Sequence, residues 1–163
     1  MSKLGNGSIT IYKALDNIKS GKYVMPAFQR QYVWCMEQIE KLWDSILLDY
    51  PIANFLFWHV DENNVSKDTY FCDFLHNVTF DSRKQADSVN YALSNINFLI
   101  SDTAILDGQQ RLTSLFLSLV GQSFIREKFA RKKSGGNILS YLVIKINKNK
   151  LSVDEEEYNS KKY

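Results

Sequence analysis

The chain has 163 residues, 45% hydrophobic and 13% aromatic, with 20 basic and 18 acidic side chains for a formal net charge of +2. That is long enough for one domain with a real core, too short for two, and too hydrophobic for disorder. The near-balance of charge neither demands nor excludes nucleic acid, so any basic surface must be local.

Residues 1–7 read as a loose leader, and they lack the long apolar segment of a secretory signal. No apolar run approaches the roughly 20 residues that span a bilayer, so no membrane partner and a cytoplasmic location are expected. Cys35 and Cys72 then read as reduced thiols rather than a disulfide. Ser8-Ile9-Thr10 forms a brief strand or cap, and Thr10 opens a short helix through Lys19 with Ile11, Leu15 and Ile18 inward and Gly21 as its stop. Residues 22–25 are a short extended piece. The stretch Pro26-Ala27-Phe28-Gln29-Arg30-Gln31-Tyr32-Val33-Trp34 is aromatic and charged but has no helical stripe. A helix is expected from about Met36 to Leu48, because Ile39, Leu42, Trp43, Ile46 and Leu47 recur at helical spacing. Glu37 and Lys41 form an i,i+4 pair on its outer side, and Pro51 prevents its continuation.

Residues 55–60, nearly all apolar, read as a buried strand. After a turn at 61–64, residues 65–97 form an elaboration, with strands at 70–75 and 78–80 and a weak helix over 85–93. Residues 98–106 are one strand or a pair. They enter Asp107-Gly108, where the apolar run breaks and a helix begins, its stripe being Leu112, Leu115, Phe116, Leu119 and Val120. Asp107 is placed to N-cap that helix, with Gln110 as its capping-box partner. Gly108 lets another chain or a ligand approach closely. A strand, a glycine turn and a helix start present free N–H groups, and Arg111 adds a forked cation, so the turn is suited to phosphate.

Beyond Val120, residues 126–133 carry five basic side chains in eight, either a solvated helix end or a contact for DNA phosphates. Residues 134–137 turn, residues 138–146 form a last strand, and a polar, charged tail ends without a terminator, as in a fragment of a longer polypeptide. The element order argues for an α+β (mixed α/β) domain over residues 8–147, with a tail over 148–163.

Two motifs together resemble a family. Phe28-Gln29-Arg30-Gln31-Tyr32-Val33-Trp34 resembles an FQRxYVW signature, and Ile105-Leu106-Asp107-Gly108-Gln109-Gln110-Arg111-Leu112-Thr113 resembles a DGQQRLT signature. Between them, Ser45-Ile46-Leu47, Pro51-Ile52 and Phe55-Leu56-Phe57-Trp58 are similar to its connecting segment. The family is the N-terminal domain of GmrSD-type modification-dependent restriction proteins, and the likeness covers roughly residues 8–120. It implies a ParB/sulfiredoxin-like fold, a small mixed sheet flanked by helices. It also implies binding and hydrolysis of a nucleoside triphosphate with Mg2+, in bacterial defence against phage, regulating a C-terminal HNH-type nuclease.

Carried over, the nucleotide site would be Gln29, Arg30, Asp107, Gly108, Gln109, Gln110, Arg111 and Thr113, with Asp107, Gln110 and Arg111 candidates for the chemistry. Residues 65–97 are longer than the family's spacing, and no HNH region is present in these residues, so nuclease activity is not expected of them alone. The expected partners are the triphosphate, modified phage DNA, the nuclease region of the same or another chain, and a second copy of this chain.

Simpler readings stand beside these. Asp107 to Arg111 is also an ordinary capped helix start with a structural ion pair. Asp107 suits a cap better than a metal site, since one carboxylate is a poor magnesium site without phosphate oxygens. Tyr32 and Trp34 read first as core anchors, though either can stack on a base. A DNA-binding or modification-sensing module without hydrolysis would use Arg30, Tyr32, Trp34, Arg131, Lys132 and Lys133, and an inert fragment is the third reading. His59, His76, Cys35 and Cys72 have no paired ligand spacing, so no metal site is expected. There is no GxxxxGK(S/T) loop.

Overall fold

The computed structural model describes residues 7–61, 70–81, 83, 85–86, 93–94, 102–126, 137–147 and 150–157. Helix α1 (Ile11–Lys19) starts where the sequence places it: Thr10 has extended backbone, and its hydroxyl accepts the Lys13 N–H at 3.2 Å. Leu15 and Ile18 are buried, and Ile11 packs half-buried beside them. Gly21, at φ 73°, turns the chain into strand β1 (Tyr23–Pro26), which is buried throughout. Helix α2 (Met36–Leu47) opens with the Gln38 side chain accepting the Cys35 N–H at 3.0 Å and turns Ile39, Leu42 and Trp43 inward. Glu37 and Lys41 pair on its outer side at 2.6 Å.

Strand β2 (Leu56–His59) follows. It was expected to be buried, but it lies at a sheet edge and Leu56 is 47% exposed. Continuous apolar sequence marks burial on both faces only for an interior strand. Strands β3 (Phe71–Cys72), β4 (Asn77–Phe80) and β5 (Leu93–Ser94) come from the elaboration. Gln85 and Ala86 are not helical: the Gln85 carbonyl accepts the Asp81 N–H at 2.8 Å, and Ala86 bridges to Phe80. Residues 87–92 of the expected helix lie outside the described residues. Then come strand β6 (Thr103–Asp107), helix α3 (Gln109–Leu119) and strands β7 (Gln122–Arg126), β8 (Asn137–Asn147) and β9 (Lys150–Glu157). Much of the expected polar tail is β9, paired antiparallel with β8 from Ser140↔Glu157 to Asn147↔Lys150.

The fold is α+β. One mixed sheet has the order β2-β6-β1-β3-β5, and a second has the order β4-β7-β8-β9. Buried residues of the helices and of both sheets, among them Met25, Trp43, Phe80, Ile105 and Phe116, form the main core, and Val24, Val60, Phe71 and Ala104 form a second, smaller cluster. The pairing that builds the candidate site is β1 with β6, parallel through Tyr23↔Thr103 and Val24↔Ala104. Parallel strands end on the same side of a sheet, and in open sheets ligands gather outside those carboxyl ends. Here one end releases residues 27–34 and the other releases Gly108 and α3, so the two sequence motifs meet.

No helix among the described residues is long and apolar enough to cross a membrane.

Candidate functional site

β1 ends at Pro26, whose carbonyl accepts the Gln29 N–H at 3.0 Å and closes a turn. The chain then runs alongside the start of α3, and side chains from each motif bind the backbone of the other. The Gln29 amide donates to the Leu106 carbonyl at 2.9 Å, and the Gln109 amide donates to the Arg30 carbonyl at 2.9 Å. Gln110 uses both ends of its amide, donating to the Gln31 carbonyl at 3.0 Å and accepting the Val33 N–H at 3.1 Å. Below them, the Tyr32 hydroxyl and Ser114 Oγ share a buried hydrogen bond of 2.8 Å. Each such bond contributes on the order of 1 kcal/mol, so the two segments behave as one unit.

The turn itself departs from expectation. The N-cap of α3 is Gly108, in the left-handed region at φ 89°, and no side chain caps it. Asp107 does not cap because it is still strand, paired with Leu56 of β2. The Gln110 amide does not reach back as a capping-box partner, since it is engaged on residues 31 and 33. The first helical bond is from the Leu112 N–H to the Gly108 carbonyl at 2.9 Å, so the N–H groups ahead of it have no partner within the helix.

Gly108 admits a side chain rather than a ligand. A Cβ built there would come within 2.2 Å of Phe55 Cδ1. The same ring supports Arg111, whose Cζ is 4.6 Å from its centroid. The Arg111 guanidinium donates to the Ile52 carbonyl and to the Asn54 carbonyl at 2.9 Å, and it approaches Asp107 Oδ2 at 3.4 Å. Its side chain is only 16% exposed against 71% for Asp107. Arg111 is thus a tie to residues 52–55. That contact was not legible in the sequence, since its acceptors are backbone carbonyls; the one signal was a glycine suited to close approach.

Between the segments lies a cleft of about 170 Å³, lined by Gln29, Arg30, Trp34 and residues 107–111. Of the residues expected to form a nucleotide site, only Thr113 is absent from it. Thr113 is fully buried, one turn along α3, and its hydroxyl has no hydrogen-bond partner among the described residues. Gln110, expected as a catalytic group, has both ends of its amide on backbone. Tyr32, offered as a DNA contact, is 1% exposed and is a core residue, whereas Trp34 is half-buried on the cleft wall. Arg131, Lys132 and Lys133 lie outside the described residues, and Arg126 at the head of that basic run is in β7. Arg30 is exposed, and its guanidinium has no ion pair or hydrogen bond among the described residues. Arg30 is the available cation of the cleft.

Among the described residues no three His, Cys, Asp or Glu side chains gather to hold a metal. Cys35 and Cys72 are both free thiols, and burial followed by the Asp73 charge pushes the Cys72 thiol up.

Comparison with known proteins gives the family. The chain is 32% identical over 113 residues to Uncharacterized protein MJ0686 of Methanocaldococcus jannaschii, a match covering 68% of this chain and 17% of that protein. The chain therefore spans only a small part of that relative's length. The family profile described as "GmrSD restriction endonuclease, N-terminal domain" matches residues 11–163. With nearly its whole length matched, the chain belongs to the family of GmrSD restriction endonuclease N-terminal domains.

Proposed function

We propose that the cleft between residues 29–34 and residues 107–111 binds the phosphates of a nucleoside triphosphate, and that the domain hydrolyses it. In this reading hydrolysis regulates a nuclease region, HNH-type, of a longer restriction protein that acts on modified phage DNA. The observation that carries the proposal is the position of Arg30. It is a cation with no protein partner among the described residues, on a wall fixed opposite the start of an 11-residue helix. Anions are favoured at such a helix start, and a guanidinium matches phosphate oxygens in pairs.

The cleft volume supports a division of the ligand. About 170 Å³ lies below the roughly 300–1,000 Å³ of sites that enclose a whole small molecule. The phosphates would enter and the nucleoside would remain at the rim, with the Trp34 ring on the cleft wall available to stack on it.

Among the described residues Asp107 is the one carboxylate lining the cleft, and it is largely exposed. Alone it is too little for Mg2+, but with phosphate oxygens completing the coordination it fits a metal that arrives with the triphosphate. Bound there, magnesium would neutralise charge on the phosphate oxygens. Arg30 would stabilise the charge that grows on the transferred phosphoryl group, and the Asp107 carboxylate would orient the attacking water or accept its proton.

Thermal unfolding with each of the four nucleoside triphosphates and magnesium tests the reading. Binding at about 100 times the dissociation constant adds roughly 2.7 kcal/mol of stability. The expected result is stabilisation that disappears in Arg30→Ala. An unchanged melting temperature with all four triphosphates overturns it.

A further inference from the structure

We infer that Gln109 and Gln110 are positioning residues, acting on a bound triphosphate through Arg30 and not by touching it. The inference rests on the nucleotide reading above. Both side chains are buried, at 4% and 7% exposure, although they are polar and line the cleft. Their amides are turned to the opposite wall. Gln109 fixes the carbonyl of Arg30 itself, and Gln110 spans the Gln31 carbonyl and the Val33 N–H. The Gln31 carbonyl and the Val33 N–H thus both face the start of α3. A glutamine amide, one donor beside one acceptor, therefore pairs with this segment as the backbone of a neighbouring strand would.

The chemistry explains the residue type. Glutamate would set a carboxylate against the Gln31 carbonyl and add negative charge beside the phosphates. Asparagine is one methylene too short. The support continues inward, where Ser114 Oγ donates to the Gln110 carbonyl at 2.8 Å and also bonds Tyr32. The backbone of Arg30 is thereby fixed while its guanidinium has no partner among the described residues, which is preorganisation for an anion.

A double-mutant cycle on the intact chain tests this, with triphosphate dissociation constants as the readout. Gln109→Leu and the uncharged Gln110→Met should each weaken binding by about tenfold, and no more than Arg30→Ala does. In the Arg30→Ala background, either change should alter affinity by less than about twofold. Losses that add to that of Arg30→Ala mean the amides touch the ligand, and unchanged affinity means they do not position Arg30; both overturn the inference.

Hydrolysis gives a second discriminator. A water-orienting Gln110 would lower kcat with KM unchanged, whereas positioning through Arg30 raises KM as well as lowering kcat. Gln110→Leu is the second variant should Gln110→Met fail to fold. Amide exchange at Val33 gives a binding-independent readout, expected to accelerate in either Gln110 variant; unaltered exchange also overturns the inference. If the unsubstituted chain binds no triphosphate, the nucleotide reading falls and takes this one with it. Additive losses in a chain that does bind remove this one alone.

Discussion

The Arg111 guanidinium lies over the Phe55 ring, 4.6 Å from its centroid, while donating to the carbonyls of Ile52 and Asn54. A cation held on three sides by its own protein is a structural tie. Two hydrogen bonds from a charged donor contribute roughly 1.5–3 kcal/mol each, and the ring contact roughly 0.5–1 kcal/mol. Allowing for incomplete additivity, Arg111→Ala should lower ligand-free stability by about 3 kcal/mol, and Arg111→Lys, which keeps charge but loses the fork, by about half of that. Urea unfolding of the three proteins measures it. Unchanged stability in Arg111→Ala would mean that the guanidinium is free for the ligand after all. Arg30→Ala, by contrast, should leave ligand-free stability within about 0.5 kcal/mol, as for an exposed side chain.

Gly108 and Phe55 are coupled through the same contact. Gly108→Ala meets two penalties, the φ of 89° and a Cβ 2.2 Å from Phe55 Cδ1. Left-handed backbone costs a side-chain-bearing residue roughly 1–2 kcal/mol, and overpacking adds about 1–3 kcal/mol. Phe55→Ala removes the overlap but not the backbone cost. The double variant should therefore be destabilised by less than the sum of the singles, by at least about 1 kcal/mol. Strict additivity would show that the ring is not what fills the space at Gly108.

These contacts show how far the sequence could be read. The helical stripes of α1 and α2 were plain, because periodicity reports which face is inward. The meeting of the two motifs was anticipated, and parallel pairing of β1 with β6 is its physical cause. Edge position was not legible, since nothing in Phe57-Trp58 tells that β2 has a neighbour on one side only. β9 was missed because a polar strand is defined by its partner β8 rather than by its own pattern. Asp107 was misread as a cap because capping propensity is local, whereas its pairing with Leu56 comes from a distant strand. Adjacent glutamines beside a phosphate-like turn also look the same in sequence whether they face ligand or backbone.

Thr113 gives a test in the opposite direction. Its Oγ1 is buried with no partner among the described residues, and an unsatisfied buried hydroxyl costs roughly 1–3 kcal/mol. Thr113→Val keeps the shape and removes the polar atom. The substitution should stabilise the fold by about 1 kcal/mol and leave triphosphate affinity unchanged. A loss of affinity in a protein of normal stability would return Thr113 to the nucleotide site from which its burial removes it.

Acid stability provides the last test, through Asp102. Partial burial pushes its carboxyl up. The Thr103 hydroxyl at 2.6 Å and the Lys22 ammonium at 3.1 Å outweigh that, and the result is below the usual carboxylate value. A folded-state pKa below the unfolded one means that the native state favours the ionised form. The contribution is then complete above the unfolded value, about 3.9, and is lost as pH falls through the lower folded value. Asp81 acts in the same sense, lowered first by the Gln85 N–H, so acid unfolding reflects both groups. Asp102→Asn should leave a residual pH dependence while removing up to about one proton from the slope of stability against pH below 4. Denaturant unfolding from pH 6 to pH 2 measures that slope. An identical slope in Asp102→Asn would mean that Lys22 and Thr103 do not hold this carboxylate ionised.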